Sequence, residues 1–292
     1  MNIQFIDRET GELKTETPPG EGFLKLLYNN PFGKMMLIPL VKRKFLSSLY
    51  GKLMDKPSSI NKIEGFVKDL NIDMEEAERS IEDYISFNDF FYRKLKKEAR
   101  PIKEGLISPG DGKLLAFEDV SEVHNFFVKG RKFNLTEFLS NKELAKKFES
   151  SSLLILRLAP NDYHRYHFPF EGTPTSMTKI KGGYLSVSPY ALASNFTKVF
   201  CENKREYCIL KTVDKGEILI APVGATMVGS IIETYTPNQL VKKGDEMGYF
   251  AFGGSTIVLL IQKGSFTIDQ DIINNTKNKR ETFVKMGDKI GV

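Results

Sequence analysis

Three short segments hold side chains that can do covalent chemistry. Residues 108–114 read Ser-Pro-Gly-Asp-Gly-Lys-Leu and set Asp111 between two glycines, in what reads as a turn between strands. Residues 160–169 read Pro-Asn-Asp-Tyr-His-Arg-Tyr-His-Phe-Pro and place His164 and His167 three residues apart among aromatics, in a Pro-bounded loop after an apolar run. Residues 250–261 read Phe-Ala-Phe-Gly-Gly-Ser-Thr-Ile-Val-Leu-Leu-Ile, so two glycines lead into Ser255 and Thr256 and then an apolar strand. Each has an ordinary explanation on its own: a turn, a satisfied core histidine, a strand entrance. Together they supply a carboxylate, a base and a nucleophile. Ser255 is not in a Gly-x-Ser-x-Gly elbow and no helix follows it. Its neighbour suits a different reaction. Gly254 has no Cβ, so its carbonyl is open to approach and its backbone can take strained angles. The Ser255 hydroxyl can attack that preceding carbonyl in an N→O acyl shift, and β-elimination of the resulting ester can follow.

The elements that must position these groups read as mostly β. Strands separated by Gly and Pro begin near Ile107, residues 153–158 form a buried strand, and residues 209–261 read as a succession of short β segments. Residues 241–248 (Val-Lys-Lys-Gly-Asp-Glu-Met-Gly) echo residues 284–291 (Val-Lys-Met-Gly-Asp-Lys-Ile-Gly), with a weaker third copy from Val213. Each copy pairs a strand end with a Gly-Asp or Gly-Glu turn. Lipoyl- and biotin-carrier domains use such turns, but no turn here presents the modified lysine those domains need. Helices are expected over residues 68–97, started by Asp73 and its acidic neighbours, and within residues 186–200 after Pro189. The fold class expected is α+β: a β-rich core, barrel- or sandwich-like with Gly-Asp turns, preceded by N-terminal amphipathic helices. Residues 1–100 form the helical, membrane-contacting region and residues 101–292 the β-rich catalytic core.

Residues 1–21 are polar and acidic and do not read as a signal peptide. Residues 22–54 mix apolar side chains with Lys25, Lys34, Lys42, Arg43, Lys44 and Lys52. No apolar run approaches the ~18 residues of a spanning helix, and Pro31 and Pro39 divide the stretch. It fits a short basic amphipathic helix at an anionic lipid surface; the alternative is core helices with solvated lysines. Net charge is +5, too mild to announce a nucleic-acid partner. Only Cys201 and Cys208 are present, which excludes a disulfide scaffold and a thiolate zinc site.

The segments 87–93 (Phe-Asn-Asp-Phe-Phe-Tyr-Arg), 108–114, 162–169, 221–230 and 243–256 occur in the order found in bacterial phosphatidylserine decarboxylase proenzymes, and the chain resembles that family from about residue 85 to its end. The resemblance implies self-cleavage between Gly254 and Ser255 into a β chain, 1–254, and an α chain, 255–292, with Ser255 converted to a covalent pyruvoyl cofactor. It assigns Asp111, His167 and Ser255 to a charge relay for the cut, with His167 taking the Ser255 proton and Asp111 orienting the ring. The pyruvoyl carbonyl would then form a Schiff base with the serine amine of phosphatidylserine and act as the electron sink for loss of CO2, giving phosphatidylethanolamine. His164 is left as the proton donor for that second step. No metal is implied. The partners expected are phosphatidylserine in the membrane, the chain's own α and β fragments as a heterodimer, and a dimer of these; the place is the cytoplasmic face of the cell membrane, peripherally. Three other readings use the same residues: a serine hydrolase acting on lipid or ester without cutting itself, a non-enzymatic membrane-binding module, and a paralogue acting on another amine-bearing substrate.

Overall fold

The computed structural model describes residues 3–16, 51–123, 133–183, 185, 199–224, 231–251 and 255–292. At its centre is a ten-stranded sheet. The strands β1 (Ile3–Asp7), β2 (Leu13–Glu16), β4 (Gly112–Phe117), β5 (Ser152–Leu158), β7 (Gly172–Pro174), β8 (Thr178–Ile180), β9 (Arg205–Thr212), β10 (Glu217–Gly224), β13 (Ser255–Ile261) and β14 (Glu281–Val284) run in the order β2-β1-β14-β4-β5-β13-β10-β9-β7, with β8 also on β9. Among the described strands only β1 and β14 pair in parallel. A second sheet has the order β11 (Ile231–Glu233), β12 (Glu246–Phe250), β6 (Arg165–His167), and β3 (Leu106–Ile107) pairs with β15 (Lys289–Gly291).

The central strands are apolar at almost every position because both faces of the sheet are covered. Residues alternate between those faces. Leu154, Leu156 and Leu158 of β5 and Ile257 and Leu259 of β13 pack with Tyr166, Phe168, Met247 and Phe250 of the smaller sheet and its flanks. Leu153, Ile155, Val258 and Leu260 face the other way, against Phe138 and Leu139 of helix Leu135–Leu139 and Ala145 of helix Lys142–Lys147. The α+β class is therefore observed, and two sheets do face each other. The barrel is not: among the described residues the sheet edges do not join, so the large sheet is open, and the sandwich covers only part of one face.

Two expectations near the N-terminus change. Residues 68–97 do not form one helix. Helix α1 (Ile63–Asp69) ends near Asn71, whose φ is +50°, and Asp73 uses its carboxylate to accept from Glu75 N at 2.8 Å in a local turn instead of starting a helix. The chain then doubles back, with Glu78 N donating to Lys94 O and Lys96 N to Glu76 O. Between these lie a 3-10 turn (Ile81–Asp83) and the short helix α2 (Phe87–Phe91), capped by Ser86, which accepts from Asp89 N at 3.2 Å. Residues 3–16 are also not helical: β1 and β2 extend the sheet beyond β14. Of the basic stretch 22–54, residues 51–54 are helical and the rest lies outside the described residues, as do residues 186–198.

The N-terminal hairpin is tied down by charge. Arg157 of β5 is 3% exposed and reaches Glu16 Oε2 at 2.5 Å and Glu281 Oε2 at 2.6 Å. Burial works against the guanidinium charge, but the two carboxylates hold its pKa above the ordinary value. Glu16 is likewise held below the usual carboxylate range by Arg157 despite its burial. Arg157→Ala strands two buried carboxylates and should lower unfolding free energy by about 3–5 kcal/mol, measured by chemical denaturation of the uncut Ser255→Ala background. A loss below about 1 kcal/mol would put the triad in the class of exposed surface pairs.

Candidate active site

The three segments singled out from sequence meet at one end of the large sheet. Ser255 is the first residue of β13 and pairs with Gly224 of β10 on one side and Leu158 of β5 on the other. Across β5, Lys113 of β4 pairs with Arg157, so Gly112 and the preceding Asp111 sit at the same end. Gly112 must be glycine here: a Cβ would stand 2.6 Å from Arg157 O. The loop carrying Asp162 and His164 begins where β5 stops, and His167 N donates to Pro109 O at 2.8 Å, tying β6 to the Asp111 segment.

Ser255 is fully buried and its Oγ has no hydrogen-bond partner. A buried hydroxyl left unpaired costs free energy and is uncommon in folded proteins. By strand alternation it points to the same face as Ile257 and Leu259, toward the smaller sheet that β6 belongs to. Gly254, whose carbonyl the Ser255 hydroxyl would attack, lies outside the described residues.

The two histidines are not equivalent members of one loop. His167 is the last residue of β6, and His164 stands just ahead of that strand. His164 is fully buried, with its ring centroid 4.0 Å from that of Phe91. Its Nδ1 lies 2.8 Å from Asp162 O. A carbonyl only accepts, so Nδ1 carries the proton and Nε2 holds a free lone pair. That Nε2 has no partner. Burial pushes the pKa down to about 3, and the positive charge of Arg93 acts the same way. His167 makes two bonds instead: Nδ1 lies 2.9 Å from Gly244 O and Nε2 3.1 Å from the Tyr163 hydroxyl. Its Nδ1 therefore donates, and its Nε2 accepts from Tyr163. Burial lowers its pKa too, while Gly244, Glu246 and Asp111 pull in the opposite direction. His167 opens onto a cleft of about 620 Å3 lined also by Arg100, Tyr163, Lys243 and Met286.

Asp111 is 3% exposed and spent on partners other than His167. Arg100 grips it with Nε at 2.9 Å and Nη2 at 2.6 Å, and Met286 N donates at 2.8 Å. The hydrogen-bonded chain from Asp111 through His167 to Ser255 is thus not formed in this conformation. Asp111 acts on His167 through its charge alone.

The sequence echo has a role that reading it as architecture missed. Its two close copies form the same turn: Asp245 N donates to Lys242 O and Asp288 N to Lys285 O, with Gly244 at φ +85° and Gly287 at φ +87°. In each, the Asp carboxylate accepts from the first residue of the turn, Lys242 N at 2.7 Å and Lys285 N at 2.8 Å. The first turn presents Gly244 O to His167, and the second presents Met286 N to Asp111. The repeated spacing was visible in sequence; the partners were not. Arg100 and Tyr163 were missed for the same reason, since neither stands in a spacing that points to Asp111 or His167. Around them the cations are matched to anions: Lys113 to Asp162 at 3.1 Å and Arg165 to Glu246 at 2.8 Å.

The sequence pattern of the phosphatidylserine decarboxylase family matches residues 87–292. Over 292 residues the chain is 56% identical to the phosphatidylserine decarboxylase proenzyme of Fusobacterium nucleatum, covering 99% of this chain and 97% of that one. It is 46% identical to the proenzyme of the same description from Clostridium botulinum strain Kyoto, covering 99% of both, and 47% identical to that of Clostridium novyi, again over 99% of both.

The neutral, buried His164 makes stability depend on pH. An unfolded histidine takes up its proton near pH 6.5, whereas His164 in the fold does so only near pH 3. The unfolded state binds more protons between those values, so this contribution is complete above pH 6.5 and is lost as pH falls toward 3. The Ser255→Ala chain should lose up to roughly 1.4 kcal/mol per pH unit from this group across that window. His164→Phe should flatten that part of the curve in denaturant titrations at several pH values; an unchanged slope would show that His164 is not held neutral.

Proposed function

The chain belongs to the phosphatidylserine decarboxylase family, and we propose that it cuts itself between Gly254 and Ser255, through Asp111, His167 and Ser255, and then uses His164 in decarboxylation. It is a pyruvoyl-dependent carboxy-lyase that converts phosphatidylserine to phosphatidylethanolamine. The observation that carries the assignment of the cut is the buried, unpartnered Ser255 hydroxyl at the head of β13, directly after Gly253-Gly254. A hydroxyl without a hydrogen-bond partner keeps both lone pairs for attack, and the orphaned His164 Nε2 adds a second group with unspent capacity in the same buried zone.

The pyruvoyl group formed from Ser255 supplies an electrophilic carbonyl and an electron sink. The chain's own residues do the rest. In the cut, the Ser255 Oγ proton passes to an imidazole as the Oγ–carbon bond forms, and the imidazolium returns it to the Ser255 nitrogen as the peptide bond to that nitrogen breaks. For His167 to take that proton, the Tyr163 hydroxyl must turn off its Nε2. Asp111 favours the imidazolium that results, as its effect on His167 already does. In decarboxylation, His164 Nε2 takes up a proton from solvent on its free lone pair and hands it to the carbon that has lost CO2. Its Nδ1 bond to Asp162 O and the Phe91 ring fix the direction of that lone pair.

The fragments are held together by the sheet. β13, β14 and β15 lie after the cut, and β13 pairs from Ser255 to Ile261 with both neighbours, so the α and β chains stay as a heterodimer. We place the enzyme peripherally on the cytoplasmic face of the membrane, with residues 17–100 toward the lipid, 101–292 as catalytic core, and two heterodimers as the assembly. Among the described residues no helix is long and apolar enough to cross a membrane. Ile85, 71% exposed and just ahead of α2, supports lipid contact close to the helix that brings Phe91 to His164.

Purified wild type should run as two fragments of the 33.1 kDa chain and release CO2 from phosphatidylserine, while Ser255→Ala should stay whole and inert. His167→Ala should accumulate uncut chain; His164→Ala should be cut and lose about 10²–10⁴-fold in turnover per pyruvoyl group. Blocked cutting in His164→Ala with normal cutting in His167→Ala would exchange the two roles. Uncut wild type that labels at Ser255 with a fluorophosphonate would favour the hydrolase reading.

At the membrane, Lys42, Arg43 and Lys44 changed together to Glu should weaken binding to phosphatidylserine vesicles, each lost positive charge costing about 1 kcal/mol. High salt should have the same effect on the wild type. Equal vesicle sedimentation for both proteins at low salt would return this stretch to the core-helix reading.

A further inference from the structure

Arg93 is a charge without an employer in the fold. It is 5% exposed, and its Nε and Nη1 have no hydrogen-bond partner; only Nη2 reaches a group, Asn161 O, at 3.3 Å. Among the described residues it forms no ion pair, and its guanidinium carbon lies 5.2 Å from the Phe90 ring centroid. A buried guanidinium normally finds a carboxylate, because leaving it unpaired costs several kcal/mol. Its neighbours manage this: Arg100 has Asp111 and Glu76, Arg165 has Glu246, and Lys113 has Asp162. The acid nearest in charge effect, Asp111, is already taken by Arg100.

The unpaired cation lies beside the reaction zone. Arg93 holds the loop at Asn161, and His164, three residues on, feels its charge. The segment 90–93 wraps that loop: the Phe91 ring lies tilted against His164 and Tyr92 O accepts from Arg165 Nε at 2.9 Å. One segment thus supplies both Phe91, against the His164 ring, and Arg93, with its unpartnered guanidinium nitrogens. Any headgroup that reaches the buried Ser255 position enters this zone and brings anionic oxygens with it.

We propose that the free Nε–H and Nη1–H of Arg93 bind the phosphodiester of the lipid headgroup and so set the reach of the substrate into the site. This rests on the decarboxylase reading. The headgroup has two anions, and chemistry chooses between them. The carboxylate gives up its charge as CO2 leaves, so a cation fixed on it stabilises the bound substrate more than the transition state and slows the reaction. The phosphodiester keeps its charge from substrate to product. A guanidinium on it contributes equally to both states, lowering KM without taxing kcat, and its planar fork suits two phosphate oxygens.

The test uses processed enzyme with rates normalised to pyruvoyl content. In Arg93→Gln, KM for phosphatidylserine should rise about ten- to hundredfold with kcat nearly unchanged. Inhibition by glycerophosphoethanolamine, which keeps the phosphodiester and lacks the carboxylate, should weaken by the same factor, and inhibition by ethanolamine should not move. Unmoved constants for all three compounds overturn the proposal. So does a rise in KM with unchanged glycerophosphoethanolamine inhibition, which would assign Arg93 to the carboxylate, and so does a fall in kcat alone. If Arg93→Gln is not processed, Arg93→Lys carries the same readings, since a point charge replaces the fork. Independently of any variant, wild type must be inhibited better by glycerophosphoethanolamine than by ethanolamine; equal inhibition overturns the proposal. Wild type that does not decarboxylate phosphatidylserine fails the decarboxylase reading itself, whereas an active wild type matched by Arg93→Gln fails only this inference.

Discussion

The hydrogen-bond ladders on both sides of β13 constrain everything else in this molecule. Pairing with β10 and β5 over its whole length fixes Ser255 at the mouth of a sheet buried on both faces. Ser255 is therefore held by backbone, not by its own side chain, and its hydroxyl has no hydrogen-bond partner. The same ladders explain how a chain can break at its centre without coming apart. From Ser255 on, the chain contributes β13, β14 and β15 to sheets whose other strands precede it, so the two parts share one core.

Around that fixed point the protein keeps its titratable groups quiet. Both histidines are buried and held toward the neutral form. Asp111 is saturated by Arg100 and a backbone amide. Two copies of one Gly-Asp turn supply the carbonyl and the amide that fix His167 and Asp111, so a duplicated piece of backbone does the positioning that side chains do in other sites. Against this background a few buried polar atoms have no hydrogen-bond partner, among them Ser255 Oγ, the neighbouring Thr256 Oγ1, His164 Nε2 and two nitrogens of Arg93. A folded chain that otherwise pairs its buried charges leaves capacity where another molecule, or its own next conformation, will use it.

Much of this was legible in the sequence, for physical reasons that can be named. The run at residues 153–158 is apolar except for Arg157 and residues 257–261 are apolar throughout, a pattern that suits strands buried on both faces, and both are central strands. Asp111, His164, His167 and Ser255 could be picked out because their local contexts were unusual, and they do converge on one end of the sheet. The helix expected at Asp73 failed because its carboxylate served its own turn, a local competition that periodicity does not see. The closed barrel failed because short strands and Gly-Asp turns are equally at home in an open sheet. Arg93, Arg100 and Tyr163 act through partners far away in the chain, and no spacing rule reports such pairs. Arg93 stood inside the family-like segment 87–93, yet only burial without a partner shows that its charge is unspent.

The central claim is that Ser255 is consumed to make the cofactor. The most direct measurement is the intact mass of the small chain from purified protein, with sequencing of its N-terminus. The account predicts a chain beginning at position 255 and ending at Val292, lacking the serine amine and therefore blocked to stepwise degradation, in a preparation that releases CO2 from phosphatidylserine. A single uncut chain that retains Ser255 as serine and still decarboxylates phosphatidylserine would contradict it.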